Sequence, residues 1–170
     1  MSKSTIYTLF LILNSFCAVL STNYHFTFNV KLRCRITHAK FGFKAQFFDK
    51  DVMWFVFICI SNFRIMFFRW NGDDPITEEY IDISPPGDIT FKSEGMLSGD
   101  EWMSEYFAVK MVLYHNCNSM RKEVRVDMDI FLLAFISYNL EDNKYYDYKF
   151  TANITELSGD TWQHASLFQN

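Results

Sequence analysis

One stretch limits the fold more than any other. From Phe26 to Thr37, apolar and polar residues alternate without a break. Phe26, Phe28, Val30, Leu32, Cys34 and Ile36 share one side, and Thr27, Asn29, Lys31, Arg33, Arg35 and Thr37 share the other. Side chains leave a strand on alternate faces, so this pattern predicts a half-buried antiparallel strand with Cys34 facing inward.

The same period returns along the chain. Phe41, Phe43, Ala45 and Phe47 oppose Lys44 and Gln46, and Asp49-Lys50-Asp51 closes that strand with charge. Ile89 and Phe91 give a short strand over 88–92, followed by a loop over 93–104. Phe107, Val109, Met111 and Leu113 alternate with Ala108, Lys110, Val112 and Tyr114, ending in the polar turn His115-Asn116-Cys117-Asn118. This strand divides the chain into two expected sandwich halves, one before it and one after it. Val124, Val126, Met128 and Ile130 point in, and 131–136 is a continuous apolar run, expected to be a buried strand end or short helix. Tyr146, Tyr148, Phe150, Ala152 and Ile154 form a last long strand, and 157–170 reads as a loop-like tail. About seven strands with short turns predict an all-β sandwich of antiparallel strands.

Hydrophobic residues make up 49% of the 170, enough to bury a core in one domain. A net charge of -4 argues against nucleic acid, because phosphate binding needs clustered Lys and Arg.

Residues 1–21 read as a secretory signal peptide. Lys3 gives a positive start, the apolar run is short and broken by Asn14, and Val19-Leu20-Ser21 offers a cleavage site. Cys17 would leave with it, so Cys34, Cys59 and Cys117 would enter an oxidising compartment. The secreted domain then spans 22–156. Cys34 and Cys117 lie on or at the end of strands that would pack together, which makes them the candidate disulfide. Cys59 is then odd, either free or intermolecular. Asn153-Ile154-Thr155 is an N-glycosylation sequon, with Asn153 on the outward side of the last strand.

Val52 to Trp70 breaks the alternation. It is apolar but carries Asn62 and Arg64. A membrane span needs about 20 apolar residues, and a central Arg costs roughly 2.5–3.5 kcal/mol, so no integral span is expected. A buried strand pair and a segment foreign to the fold are the other readings.

No catalytic, cofactor or metal site is expected. His25, His38, His115 and His164 lack helical spacing to a second ligand, and no nucleophile elbow or phosphate loop occurs. His115 reads as a turn residue beside a bridging cysteine. Asp73-Asp74 and Glu78-Glu79 read as solvated carboxylates.

Several pieces together resemble the nematode transthyretin-like family. They are Val30-Lys-Leu-Arg-Cys34, the run Gly42 to Asp51, Asp74-Pro75, Tyr114-His-Asn-Cys-Asn118 and Arg121-Lys122. The resemblance covers most of Val30 to Ile154 and implies a transthyretin-like (immunoglobulin-like) β-sandwich. Met120 stands where the family has a further cysteine, so the family's bridge to Cys117 cannot form as such. The chain also lacks the C-terminal Tyr-Arg-Gly-Ser of transthyretin-related hydrolases, ending in Leu167-Phe-Gln-Asn170. The resemblance implies a secreted, non-enzymatic protein that binds an extracellular protein or lipid-like ligand, with intercellular signalling as one expected role. A hydrolase of that type and a surface protein anchored through 52–70 are the alternatives. The family also passes almost directly from Asp51 to the loop before Asp74. Residues 52–69 therefore read as an insertion or a retained intron, since Val52-Met53 and Phe67-Phe68-Arg69 can be encoded with splice-site-like ends.

Overall fold

The computed structural model describes residues 22–37, 40–50, 56–60, 63–67, 72–99, 106–135 and 143–169. The signal-peptide assignment lies outside them, as do His38 and most of 51–71. The described residues form strands and turns, with no helix.

The strands are β1 (Thr22–Cys34), β2 (Phe41–Asp49), β3 (Val56–Ile60), β4 (Phe63–Phe67), β5 (Asp74–Pro75), β6 (Tyr80–Ser84) and β7 (Gly87–Gly99). They continue as β8 (Tyr106–Phe107), β9 (Val109–His115), β10 (Val124–Phe131), β11 (Ala134–Phe135), β12 (Lys144–Asn153), β13 (Gly159–His164) and β14 (Ser166–Gln169). The first sheet runs β14-β12-β1-β7, and the second runs β13-β10-β9-β2-β5 with β6 also on β2. The two pack face to face as an all-β sandwich.

The expected alternation sets the core. Phe26, Phe28, Val30, Leu32 and Cys34 of β1 are buried against Phe41, Phe43, Ala45 and Phe47 of β2, as are Met111, Leu113, Val126 and Met128. Phe28 and Phe47 stack across the sheets with ring centroids 3.8 Å apart. Burying one such ring contributes about 1.5–3 kcal/mol.

Five expectations change. The chain does not split into sequential halves: β1 and β7 share a sheet with β12 and β14, while β2 shares one with β9, β10 and β13. Nor is the sandwich purely antiparallel, since β1 pairs β12 in parallel and β10 pairs β13 in parallel. The loop expected over 93–104 is strand up to Gly99, where β7 follows β1 along its whole length. The tail expected over 157–170 holds β13 and β14, one on each sheet. The run 131–136 is not buried at its start, because Phe131, Leu132 and Leu133 are exposed, while Ala134 is buried.

Within 52–70, β3 and β4 pair antiparallel from Val56 opposite Phe67 to Ile60 opposite Phe63. The strand pair is one of the readings open for this run. No helix among the described residues is long and apolar enough to cross a membrane.

One side of the sandwich is closed by the chain between β5 and β6. Ile76 and Thr77 are buried there. Ile76 N–H donates to Phe47 O at 2.9 Å, the Phe47 N–H donates to Thr77 Oγ1 at 3.2 Å, and Thr77 bridges to Gly95 on β7. This strap touches both sheets and carries Asp73 and Glu79 on its flanks.

Candidate binding groove

The outward residues of the second sheet converge on one groove. Strand pairing sets Lys44 beside Tyr114, Gln46 beside Val112 and Phe48 beside Lys110. Arg125 of β10 lies beyond Tyr114 in the same row. Asp73 and Glu79, from either side of the strap, form the wall, and the hollow holds about 330 Å³. Val112 and Phe48 give it an apolar floor between charged groups.

Each cation has a carboxylate partner. Lys44 Nζ lies 3.0 Å from Glu79 Oε1, Lys110 is paired with Asp73, and Arg125 lies 2.8 Å from Asp127. The hydrogen bond to Asp127 raises the Arg125 pKa above its ordinary value, so the guanidinium stays charged. Lys44 Nζ and Arg125 Cζ also lie 4.8 and 5.9 Å from the Tyr114 ring centroid, within cation–π range. The Gln46 amide donates to Thr77 O at 2.9 Å, which fixes the floor to the strap. The groove thus presents cations, carboxylates and an apolar floor on a rigid sheet, a mixture suited to a polar ligand with some apolar surface.

The expected disulfide is present. Cys34 closes β1 in the first sheet, Cys117 follows β9 in the second, and their Cα atoms are 6.0 Å apart. The turn around Cys117 is fixed by its own polar residues. Asn116 Oδ1 accepts from Gly42 N–H at 2.9 Å, and Asn118 Oδ1 accepts from Lys122 N–H at 3.1 Å. His115 is buried and its Nδ1 accepts from Cys117 N–H at 3.1 Å, which leaves the ring proton on Nε2. Burial lowers its pKa, partly offset by the Leu157 backbone. His115 thus closes β9 and sits beside the bridging Cys117 without being part of the turn expected of it.

Asn153 is exposed at the end of β12. Its Oδ1 accepts from both the N–H of Thr155, at 3.2 Å, and the Thr155 hydroxyl, at 2.8 Å. The Thr155 oxygen in turn accepts from Arg35 N–H at 2.8 Å. His25 stacks on Tyr145, and His164 lies 5.0 Å from Trp162, so the described histidines sit on three separate strands. Among the described residues no group of three or more His, Cys, Asp or Glu could hold a metal. Asp73 and Glu79 are exposed, as expected, and each is in addition ion-paired across the groove. Only their separation from Lys110 and Lys44 along the chain hid this.

No family model matches the chain, and no curated protein matches it. Among solved structures it is similar to a Bacteroides ovatus protein described as a "putative cell adhesion protein", at 12% identity and a TM-score of 0.27. The match covers 89% of this chain and 44% of that one, so the chain spans less than half of that protein's length. A likeness this distant carries no argument about function.

Proposed function

We propose that the chain is a secreted, non-enzymatic interaction protein of the transthyretin-like type, binding an extracellular protein or lipid-like ligand in the groove. The observation that carries this is the groove itself. Its charges are already paired, so a ligand is recognised by exchanging partners with Lys44, Lys110 and Arg125 and by covering Val112 and Phe48. Two further features support an extracellular setting. The Cys34–Cys117 disulfide suits an oxidising compartment, and the N-terminal segment has signal-peptide character. Of the Tyr114-to-Asn118 motif that carries the family resemblance, Asn116, Cys117 and Asn118 hold a turn and a disulfide, while Tyr114 faces the groove. In this reading Asn153 carries an N-glycan, residues 52–69 come from an unspliced intron or an insertion, and intercellular signalling is the expected role.

The test uses the secreted chain as bait in extracellular fluid, beside a Tyr114→Ala/Arg125→Gln variant. Capture of a partner by the native chain and its loss in the folded variant supports the groove. Equal capture by both places the interaction elsewhere. Peptide-N-glycosidase should lower the mass of the native chain and leave Asn153→Gln unchanged, and sequencing of the transcript decides 52–69.

A further inference from the structure

The outer face of the first sheet carries a feature the groove does not use. Lys31, Arg33 and Arg35 project on the same side of β1 and its continuation, spaced about 6.6–6.8 Å from one to the next. All three reach one carboxylate: Asp88 lies 2.8 Å from Lys31 Nζ, 2.9 Å from Arg33 Nε and 3.5 Å from Arg35 Nη2. Three cations on one anion leave a local excess of positive charge, with their side chains 40%, 40% and 60% exposed. Lys149 of β12 extends the cluster, lying opposite Asn29 in the next row. This ridge sits on a chain whose net charge is -4.

We propose that this ridge binds a sulfated polysaccharide. Charge complementarity selects a polyanion, and the neighbouring residues select among polyanions. Thr90 and Thr151 flank Lys31, and Asn153 lies opposite Arg33, so hydroxyl and amide groups surround the cations where sugar hydroxyls would lie. The aromatic side chains of this face, half-buried His25 stacked on exposed Tyr145 and exposed Phe168 opposite Asp147, lie toward the other end of β1, so none stands between Lys31, Arg33 and Arg35 to stack nucleic-acid bases. No apolar side chain stands within the ridge to enter a lipid layer. A stiff chain bearing sulfates at short intervals fits an elongated, flat row of cations. An N-glycan on Asn153 would stand beside Arg33, so glycan removal should strengthen binding.

The experiment measures binding of the secreted chain carrying Asn153→Gln, which removes the glycan without placing a carboxylate beside Arg33 and serves as the native reference for the other variants, to heparin oligosaccharides in about 0.15 M salt. Arg33→Gln/Arg35→Gln should weaken binding about tenfold and flatten its salt dependence. Asp88→Asn, which releases the three cations, should tighten binding, whereas a merely structural ion cluster would give no gain. Lys50→Gln, on the second sheet beside Asp129, should stay within about twofold of the native chain. Thermal melts confirm that each variant is folded. The proposal is overturned by no binding of the native chain, by an equal loss in Lys50→Gln, or by no gain in Asp88→Asn. It is also overturned if single-stranded DNA or phosphatidylserine vesicles bind as tightly as the sulfated oligosaccharide.

Discussion

Gly95 lies against Ile76 so closely that a Cβ at position 95 would fall far inside van der Waals contact distance of the Ile76 carbonyl oxygen. The atom it would meet is backbone, which cannot swing aside. The strap over 76–77 reaches β7 because position 95 has no side chain, and the strap's flanks carry Asp73 and Glu79 into the groove.

Gly95→Ala should therefore damage both fold and groove. Expected is a loss of about 1–3 kcal/mol from the overpacked contact, read by denaturant unfolding. The variant should also lose groove-dependent capture while keeping the disulfide. An unchanged unfolding midpoint would show that the strap moves freely.

The disulfide should supply much of the fold's margin. Cys34 and Cys117 are 83 residues apart, and closing such a loop restricts the unfolded chain by about 4–5 kcal/mol on the entropy model. Cys34→Ala/Cys117→Ala, or reduction, should lower the unfolding free energy by that order, with folded strand content retained at low denaturant.

The Phe28–Phe47 stack joins the sheets at the middle of the core, where both rings are fully buried. Phe28→Ala should cost about 3–5 kcal/mol by leaving a cavity between two sheets that cannot close on it. Lys44→Met, which breaks one exposed ion pair, should cost about 0–1 kcal/mol.

His115 gives the fold a pH dependence. Its folded pKa is depressed by burial, so the unfolded chain binds the proton more readily. Stability from this group is then fully present above the unfolded value of about 6.5 and falls as pH drops below it. At the other extreme, burial pushes Tyr146 up to about 12, and Tyr148 moves the same way. Unfolded tyrosines ionise first, so stability should also fall as pH rises above about 10. Unfolding curves at successive pH values check both limbs, and His115→Gln should flatten the acid limb alone.

The sequence made some of this legible and hid the rest for physical reasons. β1, β2 and β12 were readable because one face is fully apolar and the other polar, and the strand period then fixes which residues are buried. The disulfide followed from Cys34 and Cys117 lying at the ends of such strands. β13 and β14 were missed because they are edge strands: no residue from Gly159 to Gln169 is fully buried, so no apolar alternation marks them. The second half of β7 was missed because its inward side is Ser93, Gly95 and Leu97, where small residues make room for the strap. The two sheets interleave early and late strands, which no local pattern encodes. The groove depends on that interleaving, since Lys44, Lys110 and Arg125 come from three strands joined only by register.

The central claim is a secreted sandwich tied by one inter-sheet disulfide, and intact-mass analysis of deglycosylated chain from the medium of eukaryotic cells tests it most directly. The account predicts soluble protein beginning at Thr22, with Cys34 and Cys117 resisting alkylation until reduced. Chain retained in cell membranes with residues 1–21 still attached, and with both cysteines alkylated without reductant, would contradict it.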